Sequence, residues 1–296
     1  MQILKKINKY KWGYIFLLPW IVLFCVFGLY PMWLSVKMTF LDYNLLEPQK
    51  MRFIGIENWI EVLTDSMFWK SMANVIYNQL IFISLNFFIS LGVAICLFRI
   101  RKFGSFFRTV YFMPVVTSVV VVMIVLGYIT GPEGPMQITL MKWGLLKDPI
   151  FWKMEPPLIM PVLAFINTWK WFGIQTVIFL GGLSTIPASY AEAAELDGAK
   201  SREIFWKIQF PLLKPQIIFI LVTNVINGLQ MFTEVYVNFD LYGGIRNAGL
   251  TPILYIYATG LDKFQMGYAS TMGMFLGIII IVLTGIQFFA FKRNEV

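Results

Sequence analysis

Four polar side chains interrupt an otherwise apolar stretch in the second half of the chain: Thr223, Asn227, Gln230 and Glu234. At about 100° of rotation per residue, a helix carries all four within about 60° of one another. Hydroxyl, amide and carboxylate groups on one face can hydrogen-bond the hydroxyls of a polyol. Upstream, Lys170 stands between Trp169 and Trp171 in a second apolar stretch. Indole faces stack on the C–H faces of a sugar, so the two stretches together suit a neutral polyol. Other roles stay open. Asn and Gln also join apolar helices to one another, Glu234 lies close enough to the end of its stretch to snorkel, and Lys170 faces either a cavity or a partner.

A second cluster lies between those stretches, in residues 184–215. Its residue types predict two short helices joined by a turn. Ser189 and Glu192 have capping-box spacing ahead of an Ala/Glu/Leu run. Asp197-Gly198 supplies a stop, because glycine takes the left-handed conformation that closes a helix. From Ser201 a second helix can begin, with Ile204, Phe205, Ile208 and Leu212 on one face and Pro211 ending or kinking it. Ala193 and Ala194, exposed on the first helix, form a knob for close packing rather than a catalytic group.

Other chemistries lack their residues. The chain has no histidine, which removes His-based triads, His metal sites and imidazole proton shuttles. Cys25 and Cys96 are isolated in apolar runs and read as buried small hydrophobes. No GxxxxGK[ST] loop occurs, so ATP hydrolysis by that device is not encoded here.

The elements that must position these groups follow from composition. Of 296 residues, 58% are hydrophobic and 14% charged, against roughly 45–50% and about 25% in soluble domains. Such an excess cannot be hidden in one core, so the chain is an integral membrane protein. A bilayer core takes about 20 apolar helical residues, and six stretches qualify: 14–36, 74–98, 109–129, 157–183, 216–238 and 268–291. The fold class expected is therefore all-α and polytopic, one transmembrane domain over 1–296 with the loop 184–215 between the fourth and fifth spans. The first stretch follows Lys5, Lys6, Lys9 and Lys11, but is too long for a signal-peptide core and is expected to stay as an anchor.

Charge orients the spans. The segment before the first span, the 99–108 and 184–215 segments and the tail carry net charges of +4, +4, 0 and +1. The alternate segments 37–73, 130–156 and 239–267 carry −1, 0 and 0. The basic groups thus cluster on one side, which the positive-inside rule makes cytoplasmic, with both termini there. The net charge of +8 orients the protein and is not a nucleic-acid patch.

The motif Glu192-Ala193-Ala194, Asp197-Gly198-Ala199, Phe205, Ile208 and Pro211 resembles the EAA loop of permease subunits of binding-protein-dependent ABC importers, with Phe210 where leucine is usual. The resemblance extends over nearly the whole chain, toward the carbohydrate-uptake branch and its maltose-transporter MalF-like subunits. It rests on Leu17-Leu18-Pro19, Tyr30-Pro31, the run Phe53 to Trp59, Phe107-Arg108-Thr109 with Pro114, Phe232, Gly243-Gly244 and Gly267-Tyr268-Ala269. The chain departs from the pattern at Gly243-Gly244-Ile245, where GGP is usual, and near 131–137.

The resemblance implies that the EAA residues dock on a separate ATPase subunit, Glu192 facing a basic group there and Gly198 permitting the turn. Glu192 has a simpler alternative role, capping its own helix, worth about 1 kcal/mol. The resemblance further implies a second homologous permease, two copies of the ATPase, which binds ATP and Mg, and an extracytoplasmic sugar-binding protein. This chain itself would hold no cofactor and no metal. A permease for glycerol phosphate or another phosphorylated polyol is the alternative in the same family, but a phosphate favours several Arg or Lys along the path. A stand-alone secondary transporter would need several buried carboxylates or an inverted repeat. A membrane enzyme would need convergent acid, base or nucleophilic groups.

Overall fold

The computed structural model describes residues 11–99 and 104–292. Several charges counted above, Lys5, Lys6, Lys9, Arg101, Lys102, Arg293 and Glu295, lie outside the described residues, as do the side chains of Lys11, Arg99, Arg108 and Lys292. The protein is mostly helical. Among the described residues, three helices are long and apolar enough to cross a bilayer alone: Ile15–Met38, Ser66–Phe98 and Met266–Phe291. Three bent pairs also qualify when each pair is taken together, giving up to six crossings by length and composition.

The chain divides into two compact units, one of residues up to Asp65 with Ile256–Leu276, the other of Ser66–Tyr255 with the residues from Gly277 onward. In the first unit, α1 (Lys11–Phe24) and α2 (Tyr30–Met38) are joined by a π-turn, Cys25–Leu29. Pro31 has no N–H and its ring would meet the carbonyl of Phe27; a wider turn relieves that conflict without breaking the helix. A two-stranded hairpin follows, β1 (Leu41–Asp42) antiparallel to β2 (Arg52–Phe53). Asn58, buried at the start of α3 (Glu57–Thr64), donates from Nδ2 to the carbonyls of Thr39 and Leu41, 3.1 Å each, and ties that hairpin to the preceding helix end. Asp65 accepts a 2.7 Å hydrogen bond from the Tyr268 hydroxyl.

The second unit is built on α4 (Ser66–Arg99) and α8 (Pro156–Thr185), which lie side by side over much of their length. Asn78 Nδ2 donates to the Met160 carbonyl at 2.8 Å near one end. Toward the other end Phe87 and Phe179 meet edge to face at 5.5 Å, within a core that includes Leu91, Ala94, Leu180 and Leu183. Pro187 ends α8, since the residue before a proline is pushed to extended backbone, and Ile186 has φ −74° and ψ 121°.

Two expected spans differ from straight helices. The stretch 109–129 is a broken pair, α5 (Gly104–Val116) and α6 (Val119–Ile129), bent by 105°. The short α7 (Pro135–Lys142) precedes α8. The stretch 216–238 is helical only to Leu229, as α12 (Lys214–Leu229), after which Gln230 and Phe232 leave helical geometry and a short α13 (Thr233–Tyr236) follows. That break is stable because its freed groups find partners: Met231 N–H bonds the Gly228 carbonyl, and the Thr251 hydroxyl donates to the Met231 carbonyl at 2.7 Å. Between α8 and α12 lie α9 (Ala188–Leu196), α10 (Ser201–Ile204), a π-turn at Phe205–Gln209 and α11 (Phe210–Leu212).

Candidate functional site

A cavity of about 420 Å³ opens in the second unit. It is walled by α4 through Gln79 and Phe82, by α8 through Asn167, Trp171, Ile174, Gln175 and Ile178, and by α12 through Phe219, Thr223, Asn224, Asn227 and Gly228. Met231 and Glu234 complete it beyond the end of α12. Volume and lining fall in the range of small-molecule sites, mostly apolar walls with a few convergent polar groups.

The polar groups are only partly used within the protein. Gln175 Nε2 donates to Asn224 Oδ1 at 2.7 Å, and Gln79 Nε2 to Asn78 Oδ1 at 3.2 Å. The other halves of these amides are idle: Gln79 Oε1, Gln175 Oε1, Asn224 Nδ2 and the Asn167 Oδ1 atom are buried without a hydrogen-bond partner. A buried polar atom left so costs about 1–3 kcal/mol. Three acceptors and one donor on residues around the cavity are thus left without partners among the described residues. Thr223 donates its own hydrogen to the Phe219 and Ile220 carbonyls, at 2.8 and 3.1 Å, and offers the cavity only lone pairs.

Of the six residues expected to form a solute path, three line this cavity: Thr223, Asn227 and Glu234. Gln230 does not. The helical-face argument holds only to Leu229, and Gln230 turns outward, its Nε2 donating to the Ile226 carbonyl at 3.1 Å. Trp169 is 42% exposed and outside the lining, whereas Trp171 is in it. Lys170 is 1% exposed and bonded elsewhere: Nζ donates to the carbonyls of Thr117 (2.7 Å), Pro114 (3.2 Å) and Val115 (3.3 Å) at the break between α5 and α6. The structure thus separates three residues that are adjacent in sequence. The lining residues that sequence reasoning missed carried a signal: Asn167, Ile174, Gln175 and Ile178, with Trp171, follow the 3.6-residue period of one helix face.

Gly228 shapes the wall. A Cβ there would lie 2.1 Å from Gln79 Cδ, so the Gln79 amide occupies the volume a larger residue would take.

The segment 184–215 is ordered by its own backbone. At the end of α9, the N–H of Gly198 bonds the Glu195 carbonyl at 3.0 Å and that of Ala199 bonds the Ala194 carbonyl at 2.9 Å. This is the paired closure of a Schellman motif, and Gly198 carries the required positive φ of 83°. Glu192, Ala193 and Asp197 are exposed, and Ala194 is half-buried. The capping box expected from Ser189 and Glu192 is not formed: α9 starts at Ala188, directly after Pro187, so Ser189 falls inside the first turn. A carboxylate does fasten the next helix. Glu203 accepts the Lys200 N–H at 3.0 Å and pairs with Lys207 at 3.1 Å, and both hold its carboxyl below the usual carboxylate range, the backbone bond most.

Beyond it, Ile204 and Phe205 are buried and Ile208 is half-buried. Phe205 packs in the core formed with Leu91, Ala94, Phe179 and Leu183. Leu212, expected on the same face, is 44% exposed, and Leu213 is fully buried in its place. The π-turn at Phe205–Gln209 takes an extra residue and so moves the inward face on by one. Pro211 is exposed, and the 62° bend between Ser201–Leu212 and Lys214–Leu229 falls where Pro215 would otherwise set its ring against the Pro211 carbonyl.

Broken apolar helices around a cavity with a few convergent polar groups, beside an ordered helical segment anchored in their core, fit a membrane permease. The chain belongs to the family of binding-protein-dependent transport system inner membrane components, whose pattern it matches over residues 86–294. It is 33% identical over 278 residues to a probable ABC transporter permease protein, YesP, of Bacillus subtilis, covering 93% of this chain and 89% of that one. It is 30% identical to the lactose transport system permease protein LacF of Rhizobium radiobacter, covering 96% and 95%. Its fold is similar to a chain of a bacterial ABC transporter involved in alginate import, with TM-score 0.85 over 100% of both chains at 20% identity.

Proposed function

We propose that this chain is the six-span permease subunit of an ATP-driven importer, and that it passes a neutral sugar, an oligosaccharide, across the membrane by alternating access. In this reading α5 and α6 together make one crossing, and α8 and α12 each belong to a crossing of their own without the loop helices between them. Residues 1–296 form one transmembrane domain, and the basic segments set both termini on the cytoplasmic side of a prokaryotic cell membrane. The loop 184–215 is the foothold of a separate ATPase, present in two copies, which holds ATP and Mg. Glu192, Ala193, Ala194, Asp197, Gly198 and Ala199 present the docking surface. Phe205, Ile208 and Pro211 connect it to the spans, Phe205 through the α4–α8 core. A second homologous permease supplies the facing wall of the path, and an extracytoplasmic sugar-binding protein delivers the cargo. The chain is a transport subunit, and hydrolysis belongs to its partner.

One observation carries the choice of cargo. The cavity is lined by amide-bearing and aromatic residues, and Glu234 is the charged residue in its lining. Such a site complements hydroxyls and repels anions. The alternative, a phosphorylated polyol, would want the Lys170 ammonium in the cavity, and that ammonium is bonded to carbonyls. The lactose permease relative supports the reading of a sugar path.

The test is uptake by proteoliposomes holding the complete complex and its binding protein, with lactose, a maltooligosaccharide and glycerol 3-phosphate as probes. ATP-dependent entry of a neutral sugar is expected. Entry of glycerol 3-phosphate alone would overturn the cargo assignment, and accumulation of solute by this chain without an ATPase would overturn the importer reading.

A further inference from the structure

We propose that Lys170 is a positioning residue: its ammonium pins the break between α5 and α6 and thereby fixes the part of the cavity wall that carries Trp171 and Glu234. The inference rests on the reading of the cavity as a solute path only for its functional consequence.

A helix that ends inside a bilayer leaves carbonyls that no water can satisfy. Here α5 ends at Val116 and α6 begins at Val119, with a 105° change of direction. Three carbonyls around that break, those of Pro114, Val115 and Thr117, accept hydrogen bonds from Lys170 Nζ at 3.2, 3.3 and 2.7 Å. An ammonium has three hydrogens and no lone pair, so its donor capacity matches these acceptors. The positive charge also meets the negative end of the α5 dipole. The Thr117 hydroxyl adds a 2.6 Å bond to the Pro114 carbonyl.

The backbones are close enough for this reach because position 173 is glycine. A Cβ there would lie 2.2 Å from the Tyr111 carbonyl oxygen. From the pin, two short routes lead to the cavity. The Lys170 ammonium sits 4.8 Å from the centroid of the Trp171 ring, which lines it. Along α6, Gly127 abuts Asn238, whose Oδ1 is 3.1 Å from where a Cβ would be, and Asn238 Nδ2 donates to the Glu234 carbonyl at 2.9 Å. Lys170 therefore stands behind the wall, in contact with Trp171 directly and linked to Glu234 only through α6 and Asn238, and it is not among the lining residues.

The experiment places spin labels on Val121 of α6 and Val177 of α8, in the assembled complex with Cys25 and Cys96 replaced by serine, and measures the distance distribution without solute. Lys170→Met is expected to shift or broaden the distribution and to lower uptake about tenfold. Lys170→Arg, which keeps a cation with several donors, is expected to restore both. Lys170→Gln, with two donors and no charge, falls between them and serves where the methionine variant does not assemble. An unchanged distribution in the methionine and glutamine variants would overturn the proposal, whether uptake stays normal or its half-saturation moves. The distance readout needs no solute, so a wrong assignment of cargo would leave it standing.

Discussion

The cavity and the loop 184–215 treat their polar groups in opposite ways. Around the cavity, four amide atoms on residues of three helices are buried without partners among the described residues. In the loop, the backbone closes on itself through the Gly198 turn and Glu203 secures the next helix start, so the segment holds a shape with side chains such as Leu196, 91% exposed, left outside. A solute site needs groups that are unsatisfied until something arrives. A surface that transmits force needs a rigid form before it is touched. The two regions meet in the α4–α8 pair, through the cavity residues of α8 at one level and the Phe205 anchor at another.

The contrast can be broken from either side. The largest effect is expected from Gly198→Val: a β-branched residue at φ 83° cannot hold the turn, since left-handed backbone costs an L-residue about 1–2 kcal/mol even without branching. Uptake and sugar-stimulated ATPase activity should both disappear, with membrane insertion intact, and Ala193→Trp should do the same by blocking the docking surface. Next, Phe205→Ala should leave the complex assembled but uncouple it, with ATPase activity persisting while uptake falls about tenfold, as a core contact worth about 3–5 kcal/mol is lost. Cavity substitutions should act on affinity instead. Gln175→Leu or Asn167→Leu is expected to raise the half-saturating sugar concentration about tenfold, the equivalent of one hydrogen bond near 1.4 kcal/mol. The smallest effects test the boundary of the site: Thr223→Val should raise it about twofold to threefold, because that hydroxyl already donates within its helix, and Gln230→Ala and Trp169→Ala should leave it unchanged.

What the sequence shows and hides follows the range of the interactions involved. The Gly198 closure is legible because every bond in it spans no more than five residues. The apolar helical stretches are legible because hydropathy is summed over a window and tolerates local breaks. The break at Thr117–Ser118 is not, because the group that makes it tolerable is Lys170, 53 residues away. Gln230 was placed on a helix face that ends one residue earlier, and that end depends on Thr251 accepting the role of partner to a freed carbonyl. Leu212 and Leu213 exchange places for a subtler reason: the π-turn before them alters the period on which the helical reading relied. Asn58 lay within a recognisable run, yet only the folded hairpin shows its two carbonyl partners.

The tether of Lys170 also bears on how the chain is made. A lysine midway along an inserting helix opposes transfer into lipid by about 2.5–3.5 kcal/mol. Ribosomes deliver residues 114–117 before residue 170, so the carbonyls that receive the ammonium are made before α8 is inserted, and a circularly rearranged chain that delivered α8 first would reverse that order.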